Sequence, residues 1–152
     1  MTLRIAEVAL LAGDTETART AALDAAERFR RQRRPGWTAL ATVVAVDAES
    51  RAGLLTPSRV DAVKQAADTL VRLGLSYPAV AAELVTGRAA LATGRLTLAR
   101  RRLRAAHDRS RGGSVLMRLR GDLAAALAAV ADRQPGEALA HCRSGLEHLA
   151  QH

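Results

Sequence analysis

Apolar residues recur along this chain at spacings of three and four. Ala18, Ala22, Ala25 and Phe29 form one such series, Leu96, Ala99, Leu103 and Ala106 a second, and Leu116, Leu119, Leu123, Leu127 and Val130 a third. Each spacing marks an amphipathic helix with one narrow buried face, and no segment alternates strictly as a half-buried strand does. Turn signals at Gly13-Asp14, Pro35-Gly36, Gly53 to Pro57, Gly74 to Pro78, Gly94, Gly112-Gly113 and Pro135-Gly136 divide the chain into segments of helical length. The pattern predicts first helices near 2–12, 37–53, 77–93 and 113–132, alternating with second helices near 14–33, 57–73, 95–109 and 136–150. Asp14 and Ser114 are suited to cap helix N-termini, and Arg30 to Arg34 to face the carbonyls of a helix's last turn.

Polar positions add a surface. Asp24 precedes Arg28 by four residues, as Glu27 does Arg31, Asp47 does Arg51 and Asp68 does Arg72. That order favours ion pairs on an exposed helix face, each contributing about 0.2 to 0.5 kcal/mol.

A repeat underlies the pattern. LLAGDTETARTAALDAA, LATGRLTLARRRLRAA and VADRQPGEALAHCRSG align on their turns, placing Ala18, Ala99 and Ala138 in register, with Ala25, Ala106 and Gly145 seven positions later. Small residues at that spacing let a neighbouring helix approach to the short end of about 8 to 10 Å between axes. The offsets imply a period of about 40 residues, with a weaker copy passing through LLTPSRVDAVKQAADTLVRLG. The expected fold class is therefore all-α: an α-solenoid of about four antiparallel helix pairs near 2–33, 37–73, 77–109 and 113–150, in a single helical-repeat domain spanning 1–152.

Composition agrees and narrows the chemistry. Alanine is abundant, only 2% of residues are aromatic, and the charge of +8 comes almost wholly from arginine, Lys64 being the only lysine. Arginine and alanine together are also what GC-rich codons produce, so the charge argues for a high-GC bacterial source more than for a nucleic-acid partner. Cys142 is the single cysteine, which excludes an intrachain disulfide framework. With no run of 18 apolar residues, a cytoplasmic protein without a membrane partner is expected.

The pattern of a turn glycine followed by small residues resembles the second half of a tetratricopeptide repeat, although Glu7 stands in the first pair where a small residue is usual. FRRQRRPGWTALA, GLSYPAVAAELVTGRAALATGRLTLARRRLRAA and RLRGDLAAALAAVADRQPGEALAHCRSGLEHL together resemble the helical-repeat region that precedes CHAT domains, a caspase-like peptidase fold, in high-GC bacterial proteins. The resemblance implies a scaffold or sensor region of a longer protein, or a short relative of one, with a CHAT domain in the same polypeptide as a partner. The peptidase chemistry does not carry over, because no residue here matches that domain's motifs.

Candidate catalytic chemistry is absent from the sequence. His141 points about a hundred degrees away from Cys142 on a helix, so the two form no dyad, and Cys142 is expected to fill the core. His148 and His152, four apart, lack a third ligand, and no phosphate-binding glycine loop occurs. The expectation is a non-enzyme without cofactor or metal, binding a protein or peptide along the first helix of each pair. Glu83, Arg88, Arg118 and Asp122 are the candidate groove residues. Two alternatives stay open: an arginine-rich nucleic-acid-binding domain, and the helical-repeat region of a multidomain transcriptional regulator. Arg100, Arg101, Arg102 and Arg104 are expected on a solvated face, with Phe29 and Trp37 both committed to the core.

Overall fold

The computed structural model describes residues 2–150. All regular structure among the described residues is helical: α1 (Thr2–Leu11), α2 (Thr15–Arg31), α3 (Pro35–Arg51), α4 (Pro57–Arg72), α5 (Ser76–Ala92), α6 (Leu96–Ser110), α7 (Val115–Ala131) and α8 (Pro135–Ala150). The predicted boundaries hold to within a few residues. One systematic difference is that Pro35-Gly36 and Pro135-Gly136 lie inside the first turns of α3 and α8. Proline suits that place, because its fixed φ is helical and the N–H it lacks has no intrahelical acceptor there.

One corner recurs. Gly13, Arg33, Gly53, Gly74, Gly94 and Arg133 each adopt a left-handed backbone conformation. The following N–H reaches the carbonyl five residues back: Asp14 to Ala9, Arg34 to Phe29, Leu54 to Glu49, Leu75 to Leu70, Arg95 to Ala90 and Gln134 to Ala129. This is the Schellman closure, which satisfies the orphan carbonyls of a helix end. At Arg33 and Arg133, φ of 53° and 59° is held by a non-glycine residue, so the closure repeats even where the sequence lacks its usual signal. Gly112 (φ 74°) turns the chain before α7, whose Ser114 cap accepts from the Met117 N–H, as Asp14 does from Thr17 at α2.

The chain forms two compact units, Met1–Leu75 and Ser76–His152. In the N-terminal unit α2 lies between α1 and α3, and α4 packs on α3. Its core is built in rungs across three helices: Leu3 with Ala25, Ala26 and Ala41; Ala6 with Ala22 and Ala45; Ala9 with Ala18 and Ala48. Nearly every rung residue is alanine, so van der Waals contact is reached only by close helix approach. The weak copy of the repeat is also resolved. Val60 and Ala67, both fully buried, take the places of Ala18 and Ala25, because the corner before α4 is two residues longer.

In the C-terminal unit α6 packs against α5 and α7, α7 against α5 and α8. Leu84, Leu103, Ala106, Ala124 and Ala128 form its core, with Leu91 and Leu127 against it. The register residues Ala99, Ala106, Ala138 and Gly145 are buried as the repeat requires.

Several expectations are corrected. The leucine stripe of α7 is not its interior face: Leu116, Leu123 and Val130 are exposed, while Met117, Gly121, Asp122, Ala124, Ala125, Ala128 and Ala129 are buried. With neighbours on several sides, α7 turns inward the face that permits close approach. Cys142 is exposed rather than in the core. Trp37 is 50% exposed and rests on Phe29, with ring centroids 5.7 Å apart. Phe29 alone of the two packs on the core.

Candidate functional site

A cleft of about 560 Å³ lies in the N-terminal unit, bordered by the end of α2, the corner that follows, and facing sides of α3 and α4. Its basic edge is Arg30, Arg33 and Arg34. Arg30 is closely paired with Glu27, one turn earlier, and Glu27 also receives Arg31 at 3.0 Å. Arg33 and Arg34 are exposed and have no carboxylate partner among the described residues. The corner places them there: Arg33 sits in the left-handed position, and Arg34 precedes the first turn of α3.

Beyond the arginines, Pro35, Ala39, Ala62 and Ala66 supply apolar surface, and Thr38, Thr42, Gln65 and Thr69 supply polar surface. Each threonine hydroxyl donates its single proton to a carbonyl of its own helix: Thr38 to Arg34, Thr42 to Thr38 and Thr69 to Gln65, at 2.9 to 3.0 Å. Their remaining capacity is for accepting hydrogen bonds. The cleft thus joins a cationic end to an apolar strip flanked by acceptors. A sequence signal for it exists in the four-residue spacing of Thr38 with Thr42 and of Gln65 with Thr69, each pair on one helix face.

The four residues expected to line a groove lie in the C-terminal unit, and each is engaged there. Glu83 is 3% exposed and receives Arg102 Nη1 on both carboxylate oxygens, at 3.2 and 3.3 Å. Asp122, 7% exposed, accepts from the Ser144 hydroxyl at 3.4 Å and lies 2.9 Å from His148 Nδ1. Glu83 and Asp122 occupy matching places in α5 and α7, 39 residues apart, and each reaches the following second helix. Arg88 is half-buried with a partner of its own, and half-buried Arg118 donates to the Gly113 carbonyl at 2.8 Å. Glu83 and Asp122 tie neighbouring helices together.

The arginine run of α6 divides in the same way. Arg102 is interior, and not on a solvated face as expected. Arg100 and Arg104 converge on Asp132, and Arg100 also donates to the Ala131 carbonyl at 3.1 Å. Arg101 remains exposed. In the N-terminal unit, Glu49 lies buried between Arg19 of α2 at 3.6 Å and Arg59 of α4 at 2.7 Å. Much of the positive charge is therefore used in structural pairs.

Among the described residues no group of three or more His, Cys, Asp or Glu side chains is placed to hold a metal ion. His152 lies outside those residues. The aromatic rings are occupied by neighbours: Trp37 rests on Phe29, and Arg120 lies 4.6 Å above the Tyr77 ring. No described helix is long and apolar enough to cross a membrane. No family model matches the chain, and neither the curated proteins nor the solved structures provide a match to it.

Proposed function

We propose that the chain is a non-catalytic, tetratricopeptide-like helical-repeat module of the α-solenoid class, which binds an acidic peptide segment of a partner protein in the arginine-edged cleft of its N-terminal unit. The observation that carries this reading is the pairing of two uncompensated guanidinium groups, Arg33 and Arg34, with an apolar strip and a row of acceptors in one cleft. A carboxylate side chain suits the guanidinium fork, apolar side chains suit Ala39, Ala62 and Ala66, and peptide N–H groups suit the threonine oxygens. The recurring corner and buried small-residue register support the repeat assignment. In the CHAT-linked setting suggested by the sequence resemblance, the acidic segment would belong to the CHAT domain of the same polypeptide.

Fluorescence anisotropy with a labelled Glu- and Leu-containing peptide tests the proposal, with a Gln-for-Glu peptide as control. Micromolar binding to the acidic peptide is expected, at least tenfold weaker in the Arg33→Gln/Arg34→Gln variant, a difference of about 1.4 kcal/mol. Affinity no tighter than about millimolar for both peptides, roughly 4 kcal/mol, overturns it. A single-stranded oligonucleotide bound more tightly than the peptide, with a steep salt dependence, would replace it with the nucleic-acid reading.

A further inference from the structure

Each unit carries an exposed apolar face, on α1 in one and on α7–α8 in the other, and the repeat register relates the two. In the N-terminal unit, α3 covers α1 and α2. Leu3 of α1 packs with Ala41, Leu10 lies against the Ala9, Ala18 and Ala48 rung, and Ala22 and Phe29 of α2 meet α3 as well. In the C-terminal unit, α7 covers α5 and α6 by equivalent positions. Leu84 and Leu91 stand where Leu3 and Leu10 do, Leu103 where Ala22 does, and they meet Ala124 and Ala128.

One further repeat along, at an offset of 39 residues, the same positions become Leu123 and Val130 on α7 and Cys142 on α8, joined by Leu139, Leu146 and Leu149. All of them are exposed, Leu139 at 60% and Leu146 at 66%. They form the face that a covering first helix would occupy.

The opposite need exists on α1. α3 covers its hairpin with Ala45 and Ala48, and α7 meets its own with Ala124 and Ala128. On α1 the place of Ala45 is taken by Ile5, that of Ala48 and Ala128 by Val8, and that of Ala124 by Arg4; Ile5 and Val8 are 46% and 65% exposed, and Leu11 beyond them is almost wholly exposed. A large apolar face that remains uncovered marks an interaction surface.

We propose that α1 of one copy of this chain docks on the α7–α8 face of a second copy, in the manner of α3 on α1–α2 and α7 on α5–α6. The occupant is a second copy because each of the two faces has its complement on the other. The interaction is heterologous, so successive copies assemble head to tail. In this register Ile5 of one copy stands over Cys142 of the next, as Ala45 stands over Ala22 in the same rung. The proposal is independent of the peptide cleft, whose lining residues belong to neither face.

Sedimentation velocity of the full chain from about 1 to about 300 µM tests it, over the range in which micromolar association is visible. The expected result is a mass that grows with concentration and passes beyond the dimer. Leu146→Arg and Val8→Glu should each abolish growth while retaining helical content, since both side chains are exposed. Mixing these two variants should give a 1:1 dimer, because each retains the face that the other has lost. In parallel, oxidised Ile5→Cys should give covalent oligomers through Cys142, whereas Ile5→Cys/Cys142→Ser should stop at no more than a dimer. A wild-type chain that stays monomeric at the highest concentration overturns the proposal. So does association that the mixed variants fail to restore, which would indicate a symmetric contact.

Discussion

Leu103 of α6 lies against the bare backbone of Gly87 in α5, so closely that a Cβ on Gly87 would stand 2.5 Å from the leucine Cγ and Cδ2. The equivalent contact between α1 and α2 is made by Ala6 and Ala22. The two hairpins thus fill this crossing differently, with two methyl groups in one and a leucine against bare backbone in the other.

Gly87→Ala should therefore destabilise the C-terminal unit. Over-packing costs about 1 to 3 kcal/mol, against a gain of about 1 kcal/mol from replacing a mid-helix glycine. Leu103→Ala alone should cost about 2 to 5 kcal/mol. In the double variant the new methyl occupies part of the space, so its loss should fall short of the sum by at least about 0.5 kcal/mol. Urea unfolding followed by circular dichroism reads all three. Strict additivity would show that the contact is looser than described.

The interior pair Glu83 and Arg102 makes a second prediction. Glu83→Ala leaves a guanidinium in a site where both side chains are less than a tenth exposed, and losing one partner of a buried pair costs about 3 to 5 kcal/mol. Replacing both, as Glu83→Met/Arg102→Leu, removes the desolvation penalty with the attraction and should recover most of that stability. A double variant as unstable as the single one would mean that the pair does more than balance charge.

Acid stability provides a third. Asp14 is held below the ordinary carboxylate value of 3.8, chiefly by a hydrogen bond from the Thr17 side chain and then by the Thr17 backbone N–H. A carboxyl lowered in the fold contributes stability above its unfolded value, and that contribution disappears as pH falls through the lower folded value. Asp14→Asn retains a cap acceptor without the titration, so its melting temperature should depend less on pH, as pH falls below the ordinary carboxylate value, than that of the parent chain. Parallel acid limbs for the two proteins would remove Asp14 from the acid response.

Trp37, half exposed beside Phe29, should emit between the buried and the fully hydrated extremes and be quenched substantially by iodide. Phe29→Ala should increase the quenching further. Emission as protected as that of a core tryptophan would contradict the packing of this corner.

The candidate cleft was half legible. Arg33 and Arg34 stand out in FRRQRRPGW, and their place at a helix end follows from the proline and glycine after them. Their neighbours Gln65 and Thr69 come from α4, some thirty residues on. Nothing local to either segment brings the two together. The same limit applies to Glu83 and Asp122, which look like polar groove residues until Arg102 and His148 are placed beside them.

What the sequence by itself determined is the set of features governed by interactions within a turn or two of helix. These are the helix starts and stops, the caps at Asp14 and Ser114, the Asp24–Arg28 and Glu27–Arg31 pairs, and the small-residue register of Ala18, Ala99 and Ala138. Only the tertiary structure decided which face of α7 turns inward, that Arg102 is interior, and that Cys142 and Trp37 are not. Hydrophobic periodicity weights leucine above alanine. A helix enclosed by several others gains more from the alanine face that lets their backbones approach, and a charged residue is buried only where a distant helix delivers its partner.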